Sequence, residues 1–239
     1  MRAEVAAAGA DLGIGFDGDG DRIGIIDGKG RQVPGDLLTA FMAKDVAARH
    51  PGAPILLDVK SSEAALRLVE SAGAAAQIWK TGHSHMKERM KELEAPLAGE
   101  MSGHIFIADD YLGFDDAIYA AVRVITQMVK GGQSITEFMD SLPEQHATPE
   151  LRIDCPDTVK FDSMEKIRAH VLSGHDAADV NSIDGVRVRS GDGWWLIRAS
   201  NTEAALVARA EAADRTALDR LLGDIETTLA AAGLDWKRP

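Results

Sequence analysis

Cysteine is almost absent from this chain. Cys155 is the only one in 239 residues, so no internal disulfide can form, a usage that fits a reducing cytosol. No apolar run approaches the roughly 20 residues of a membrane-spanning helix. The opening "MRAEVAAAGADLG" has one arginine but no apolar core and no cleavage motif, which predicts no signal peptide. Positive charge is also scarce: 26 basic against 38 acidic residues give a formal charge of −12. That balance argues against a nucleic-acid partner, whose phosphate backbone calls for a basic surface. An anionic ligand must then be held by a local cluster of donors, so the positions of the few Arg, Lys and His residues carry information. Internal repeats and low-complexity tracts are missing too.

What is present is ordinary for a soluble globular protein: 45% hydrophobic and 27% charged residues, in a chain long enough for two cores. Residues 2–8 read as the end of a helix, and 12–16 and 23–27 as short strands. Asp36 is placed to cap a helix whose apolar positions Leu37, Leu38, Phe41, Met42 and Val46 recur at helical spacing. "PILLDV" predicts a strand, 62–72 a helix ending near Gly73, and "AQIWK" another strand. This alternation points to βαβ units and a parallel sheet. Helices are expected at 115–130 and near 134–141. "PEQHATPE", 143–150, reads as a linker. Beyond it a strand at 151–155, a helix near 162–173, strands around 185–189, 194–198 and 204–210, and a helix over 214–232 suggest a small α+β domain. The first thirty residues hold too little to make a domain, so the chain is expected to begin inside one.

The most informative stretch is "DLGIGFDGDGDRIGIID", 11–27. Asp17, Asp19 and Asp21 alternate with glycine, and in an extended segment such residues project to one side; glycine lets the backbone curl and bring them closer. Three hard oxygen ligands suit Mg²⁺, and a divalent cation would offset their mutual repulsion. An EF-hand is excluded, because its sixth and twelfth positions would fall on Arg22 and Gly28 rather than Gly and Glu. A phosphatase loop of the haloacid-dehalogenase type also places Asp-x-Asp after a strand, usually with Thr or Val where Asp21 stands. A solvated acidic turn is the plainest alternative, but three clustered acids cost stability without a counter-ion.

Three more stretches gather donors. "WKTGHSH", 79–85, offers Lys80, His83 and His85 around a glycine turn. "LAGEMSGHIFI", 97–107, sets Glu100 and Ser102 beside His104; a carboxylate and a hydroxyl suit the vicinal hydroxyls of a sugar, and His104 can carry a proton or contact a phosphate. "WWLIRASNTEAALVA", 194–208, puts Arg198, Ser200, Asn201 and Thr202 in a loop between strands, where the planar guanidinium matches phosphate. A surface histidine, a plain hairpin turn and a solvated loop are the bland alternatives for the three. Arg22 and Lys60 would add positive charge. A metal site, a hydroxyl reader and a phosphate clamp together describe phosphoryl transfer on a phosphosugar.

"DGDGDR", "GEMSGH" and "RASNT" stand here in the order found in the α-D-phosphohexomutases, and the chain closely resembles their bacterial phosphomannomutase/phosphoglucomutase branch over nearly its whole length. The resemblance implies an α/β fold: residues 1–32 as the end of domain two with the metal loop, 33–147 as a mixed αβα domain three with the sugar loop, and 148–239 as an α+β, TATA-binding-protein-like domain four with the phosphate loop. It implies Mg²⁺ on Asp17, Asp19 and Asp21, with Arg22, Lys60, His83 and His104 in the catalytic region. Glu100 and Ser102 would hold the sugar's 3- and 4-hydroxyls, and Arg198, Ser200, Asn201 and Thr202 the phosphate not being transferred. The substrates implied are the 1- and 6-phosphates of mannose and glucose, which "GEMSGH" fits better than acetylglucosamine. The family's N-terminal phosphoserine domain has no counterpart here, so a truncated portion, inactive alone and partnered by the missing half, is expected. A phosphosugar-binding module without chemistry, and a phosphatase with Asp17 as nucleophile, are the other two readings.

Overall fold

The computed structural model describes residues 1–238. Residues Met1–Pro143 form one compact unit and the chain from Glu144 onward a second.

The first unit opens with helix α1 (Arg2–Ala8) and strands β1 (Leu12–Phe16), β2 (Ile23–Asp27) and β3 (Gln32–Val33), which make a three-stranded antiparallel sheet in the order β1-β2-β3. Leu12 pairs with Asp27 and Phe16 with Ile23, so the six-residue connection carrying the three aspartates is the turn of this hairpin. After it come α2 (Gly35–Arg49), β4 (Pro54–Asp58), α3 (Glu63–Ser71), β5 (Ala75–Trp79), α4 (His83–Leu93), β6 (Leu97–Gly99), β7 (Ile105–Ile107), α5 (Ala117–Gly131) and α6 (Ile135–Asp140). The second sheet runs β5-β4-β6-β7. β4 is parallel to β5 and β6, as βαβ crossovers require. The sheet is mixed at its edge, where β7 returns antiparallel through the tight turn 100–104.

Alternation along these strands splits the apolar side chains between two faces. Ile55, Leu57, Leu97, Ile105 and Ile107 pack with α2, α3 and α5, while Leu56, Ala98 and Phe106 pack with Met86 and Met90 of α4. The unit is therefore a three-layer αβα sandwich. A buried carboxylate ties two layers: Asp109 accepts from Arg123 at 2.7 Å and sits 2.9 Å from His50 Nε2, and Arg49 donates to it as well. Asp36 does not cap α2. Pro34 holds that position, and Asp36, buried in the first turn, accepts from the Ser62 amide at 2.7 Å just before α3.

The second unit begins with β8 (His146–Ala147), which lies inside the expected linker and pairs with the far end of the sheet. β9 (Leu151–Asp154) and α7 (Asp157–Gly174) follow, the helix starting five residues earlier than its periodicity suggests. β10 (Val180–Asn181), β11 (Val186–Ser190), β12 (Gly193–Ala199), β13 (Ala205–Ala212) and α8 (Arg215–Ala231) complete it. All the strand pairs are antiparallel, in the order β10-β11-β12-β13, with β8 and β9 both on β13. α7 and α8 cover one face through Ile167, Val171, Leu221, Ile225 and Leu229 against Val186, Val188, Trp195, Ile197, Leu206 and Ala208.

Candidate active site

The turn between β1 and β2 brings Asp17, Asp19 and Asp21 together, with one carboxylate oxygen of each within 4.8 Å of the others. Arg22 answers the first of them. Its Nε donates to Asp17 Oδ2 at 2.6 Å, and its backbone amide to Oδ1 at 3.1 Å. Burial pushes the Asp17 carboxyl up, but the Arg22 bonds outweigh it and hold the group at about 2. Asp21 moves the other way: burial and the charges of Asp19, Asp17 and Asp115 raise it, against the pull of His104. Three carboxylates facing one guanidinium leave two negative charges without a partner cation on this turn. Hard oxygens converging with a charge deficit of two fit a divalent cation of the Mg²⁺ class.

Residues of the Glu100–His104 turn meet this turn through the backbone. Arg22 and His104 form an antiparallel bridge, and the Ile23 amide donates to the Gly103 carbonyl at 3.1 Å. His104 Nδ1 consequently stands 3.7 Å from Asp21 and 3.0 Å from Asp115. The approach leaves no room for side chains: a Cβ on Gly103 would lie 2.5 Å from the Ile23 carbonyl oxygen, and one on Gly35 2.2 Å from that of Glu100. Gly103 also has φ +100°, a conformation that L side chains rarely adopt.

Glu100 is buried. It accepts from the Gly82 amide at 3.0 Å and the Ser102 hydroxyl at 3.2 Å, and burial together with the nearby charge of Asp58 raises its carboxyl above the usual range. Ser102 is exposed. "WKTGHSH" is not a free turn: Gly82 is the N-cap of α4 and His83 its first residue. His83 is brought to His104, with ring centroids 6.1 Å apart, while Lys80 and His85 are exposed. Lys60 is buried with its Nζ 3.7 Å from Asp58, whose carboxylate also accepts from Ser61, Thr81 and the Met101 amide.

The fourth group of residues lies in the second unit. Arg198 belongs to β12 rather than to a loop, because the strand continues through it to Ala199. Its Nε donates to Asp184 at 3.0 Å, while its Nη2 is buried with no hydrogen-bond partner among the described residues. Ser200 is buried, its hydroxyl accepting from the amides of Thr202 (3.4 Å) and Glu203 (3.1 Å); Asn201 and Thr202 are exposed.

Sequence reasoning passed over Asp115, which holds His104, and Lys87, which donates to Asp115 at 3.0 Å. A signal was available. Two adjacent acids precede α5, and only Asp116 is needed for the cap, accepting from the Tyr119 amide at 2.8 Å. Asp184 left no comparable signal.

An acidic turn that fits a divalent cation, fused to a turn bearing Glu, Ser and His on an αβα unit, makes up the candidate site. Comparison with known proteins narrows the class. The phosphoglucomutase/phosphomannomutase α/β/α domain III matches residues 34–146, and the C-terminal domain of the same proteins matches residues 150–228. The chain belongs to the phosphoglucomutase/phosphomannomutase family. A phosphomannomutase/phosphoglucomutase of Pseudomonas putida is 43% identical over 227 residues, which is 95% of this chain and 49% of that protein. A phosphoglucomutase of Neisseria gonorrhoeae is 38% identical over 212 residues, 89% of this chain and 46% of the other. A crystal structure of a phosphoglucomutase/phosphomannomutase family protein from Burkholderia thailandensis superimposes with a TM-score of 0.88 at 37% identity, covering 98% of this chain and 50% of that one. The chain thus spans about half the length of the curated relatives it matches.

Proposed function

We propose that this chain supplies the metal, sugar and distal-phosphate sites of a phosphohexomutase, which interconverts hexose 6-phosphate and hexose 1-phosphate of mannose or glucose. The observation that carries the reading is the bridge between Arg22 and His104, which fuses the acidic turn to the Glu100–His104 turn. Asp17, Asp19 and Asp21 would hold Mg²⁺, which when bound supplies positive charge to the transferring phosphoryl group. Arg22, Lys60 and His83 add N–H donors around that group. His104 takes the proton from the attacking sugar hydroxyl and returns one to the oxygen that loses its phosphoryl group. Glu100 and Ser102 orient the sugar through its hydroxyls, and Arg198, Ser200, Asn201 and Thr202 grip the phosphate that stays in place. The buried Nη2 of Arg198, lacking an acceptor, supports that last role, since such a donor is costly unless a ligand meets it.

The phosphoryl group passes from a phosphoserine to one sugar oxygen, giving a bisphosphorylated sugar, and the serine then recovers a phosphoryl group from the other oxygen. No serine motif of that kind matched within these residues, so the donor is proposed to come from a segment corresponding to the N-terminal half of the relatives, with this part inactive alone. The phosphatase reading is less well supported, because it gives no part to the Glu100–His104 turn that is bridged to this loop. Mixing this chain with the N-terminal half of the Pseudomonas putida relative, in the presence of Mg²⁺, should restore conversion of glucose 1-phosphate that neither part performs alone. Tight binding of the sugar phosphate with no turnover in the mixture would replace the enzyme by a binding module.

A further inference from the structure

The phosphate loop is held from beneath by a buried ammonium that the reaction described above does not use. Lys160, in the first turn of α7, has a side chain only 5% exposed. Its Nζ donates to Asp157 Oδ1 at 2.6 Å and to the carbonyl oxygens of Ser200 and Glu203, each at 2.9 Å. An ammonium has three N–H donors, and here all three are used. The two carbonyls bracket Asn201 and Thr202. In a planar trans peptide the C=O and the following N–H point in opposite directions. Drawing the Ser200 and Glu203 carbonyls onto Lys160 therefore turns the amides of Asn201 and Ala204 away from it.

We propose that Lys160 is a positioning residue for the phosphate loop: without touching the ligand, it fixes the loop in the form that receives a sugar phosphate monoester. The inference rests on the phosphate-binding role given above to Arg198 and the Ser200–Thr202 loop. The physical reason is that any other loop conformation would strip carbonyls from a buried charge. The loop is thereby ordered before the ligand arrives, and the ordering cost does not fall on binding.

The test uses the full chain, with hydrogen exchange of the 201–204 amides and calorimetric binding of glucose 6-phosphate as its two readouts. Lys160→Ala should keep a cooperative melt and protected β12–β13 amides, while the loop amides exchange faster and affinity falls about tenfold or more. Added propylammonium should restore both, and propanol neither, because charge and N–H donors rather than volume are required. Unchanged loop exchange and affinity in Lys160→Ala, or equal rescue by propanol, would overturn the inference. Should that variant fail to fold, Lys160→Gln decides by the same loop exchange: faster exchange supports the inference and unchanged exchange ends it. Arg198→Met separates the two layers of argument. If Arg198→Met binds glucose 6-phosphate as tightly as the wild type, or the wild type does not bind it, the functional reading falls, while the loop exchange still judges Lys160.

Discussion

His104 and Asp115 are joined at 3.0 Å through Nδ1 and Oδ2, and the other oxygen of Asp115 takes the Lys87 ammonium at the same distance. Burial raises the Asp115 carboxyl, but the Lys87 bond, a backbone amide and the His104 charge bring it below its usual value. A carboxylate so placed accepts a hydrogen bond from Nδ1–H and leaves the ring's lone pair on Nε2. In the neutral ring the proton should therefore sit on Nδ1, which ¹⁵N NMR of the ring reads directly. Asp115→Ala should release this preference, and a wild-type ring bearing its proton on Nε2 would refute the arrangement.

Removing one ligand tests the acidic turn. Asp19→Asn keeps the shape of the side chain and takes away a full charge from a site that has two unmatched ones. Mg²⁺ affinity measured by calorimetry should fall about tenfold or more. An unchanged affinity would contradict the role given to Asp19.

The Arg22–Asp17 pair makes a pH prediction for the metal-free protein. Asp17 titrates at about 2 in the folded chain, below the ordinary value of about 3.9. Its folded pKa is depressed, so the stabilisation it contributes is present above the unfolded value and is lost as pH falls towards 2. Arg22→Met should move the Asp17 midpoint, followed by carboxyl ¹³C NMR, upward, because the guanidinium's bond and charge are gone while the effect of burial stays. A midpoint that stays near 2 would show that another group holds it down.

Asp109 is predicted to matter for stability. Its carboxylate meets Arg49, Arg123 and His50, and Asp109→Ala leaves Arg123 Nη2 with only a long 3.4 Å bond to Asp45, a loss of about 1–3 kcal/mol. Burial raises the group, yet the Arg123 and His50 bonds and the Arg49 charge bring it below the usual range. The stability gap between wild type and variant, taken from urea unfolding, should be full above pH 4 and shrink as pH falls below it. A gap that widens in acid would refute the assignment.

Much of the fold could be read from apolar periodicity. "LGIGF", "PILLD" and "GWWLIRA" are short apolar runs bounded by turn residues, and each is a strand. What stayed hidden had weak or ambiguous signals. α4 reads "HSHMKERMKEL", with only Met86 and Met90 buried, so its polar face masks a helix behind two histidines. The direction of β7 is a tertiary property that "IFI" does not encode. Arg198 stands where the apolar run 194–198 gives way to polar residues, so strand and loop overlap on it in the sequence; it continues the β12 ladder opposite Val207. The aspartate turn was legible because glycine spacing and charge both speak locally. The partners Asp115 and Lys160 were not, since each acts on residues 11 to 43 positions away.

The glycines at 35 and 103 have a mechanical meaning. With the start of α2, the Glu100–His104 turn and β2 nested at distances that exclude even a methyl group, none of the three can slide without the others. Within this unit the acidic turn and the Glu100–His104 turn keep a constant gauge. If a hexose must present first one end and then the other, the sugar does the tumbling while this anvil stands still.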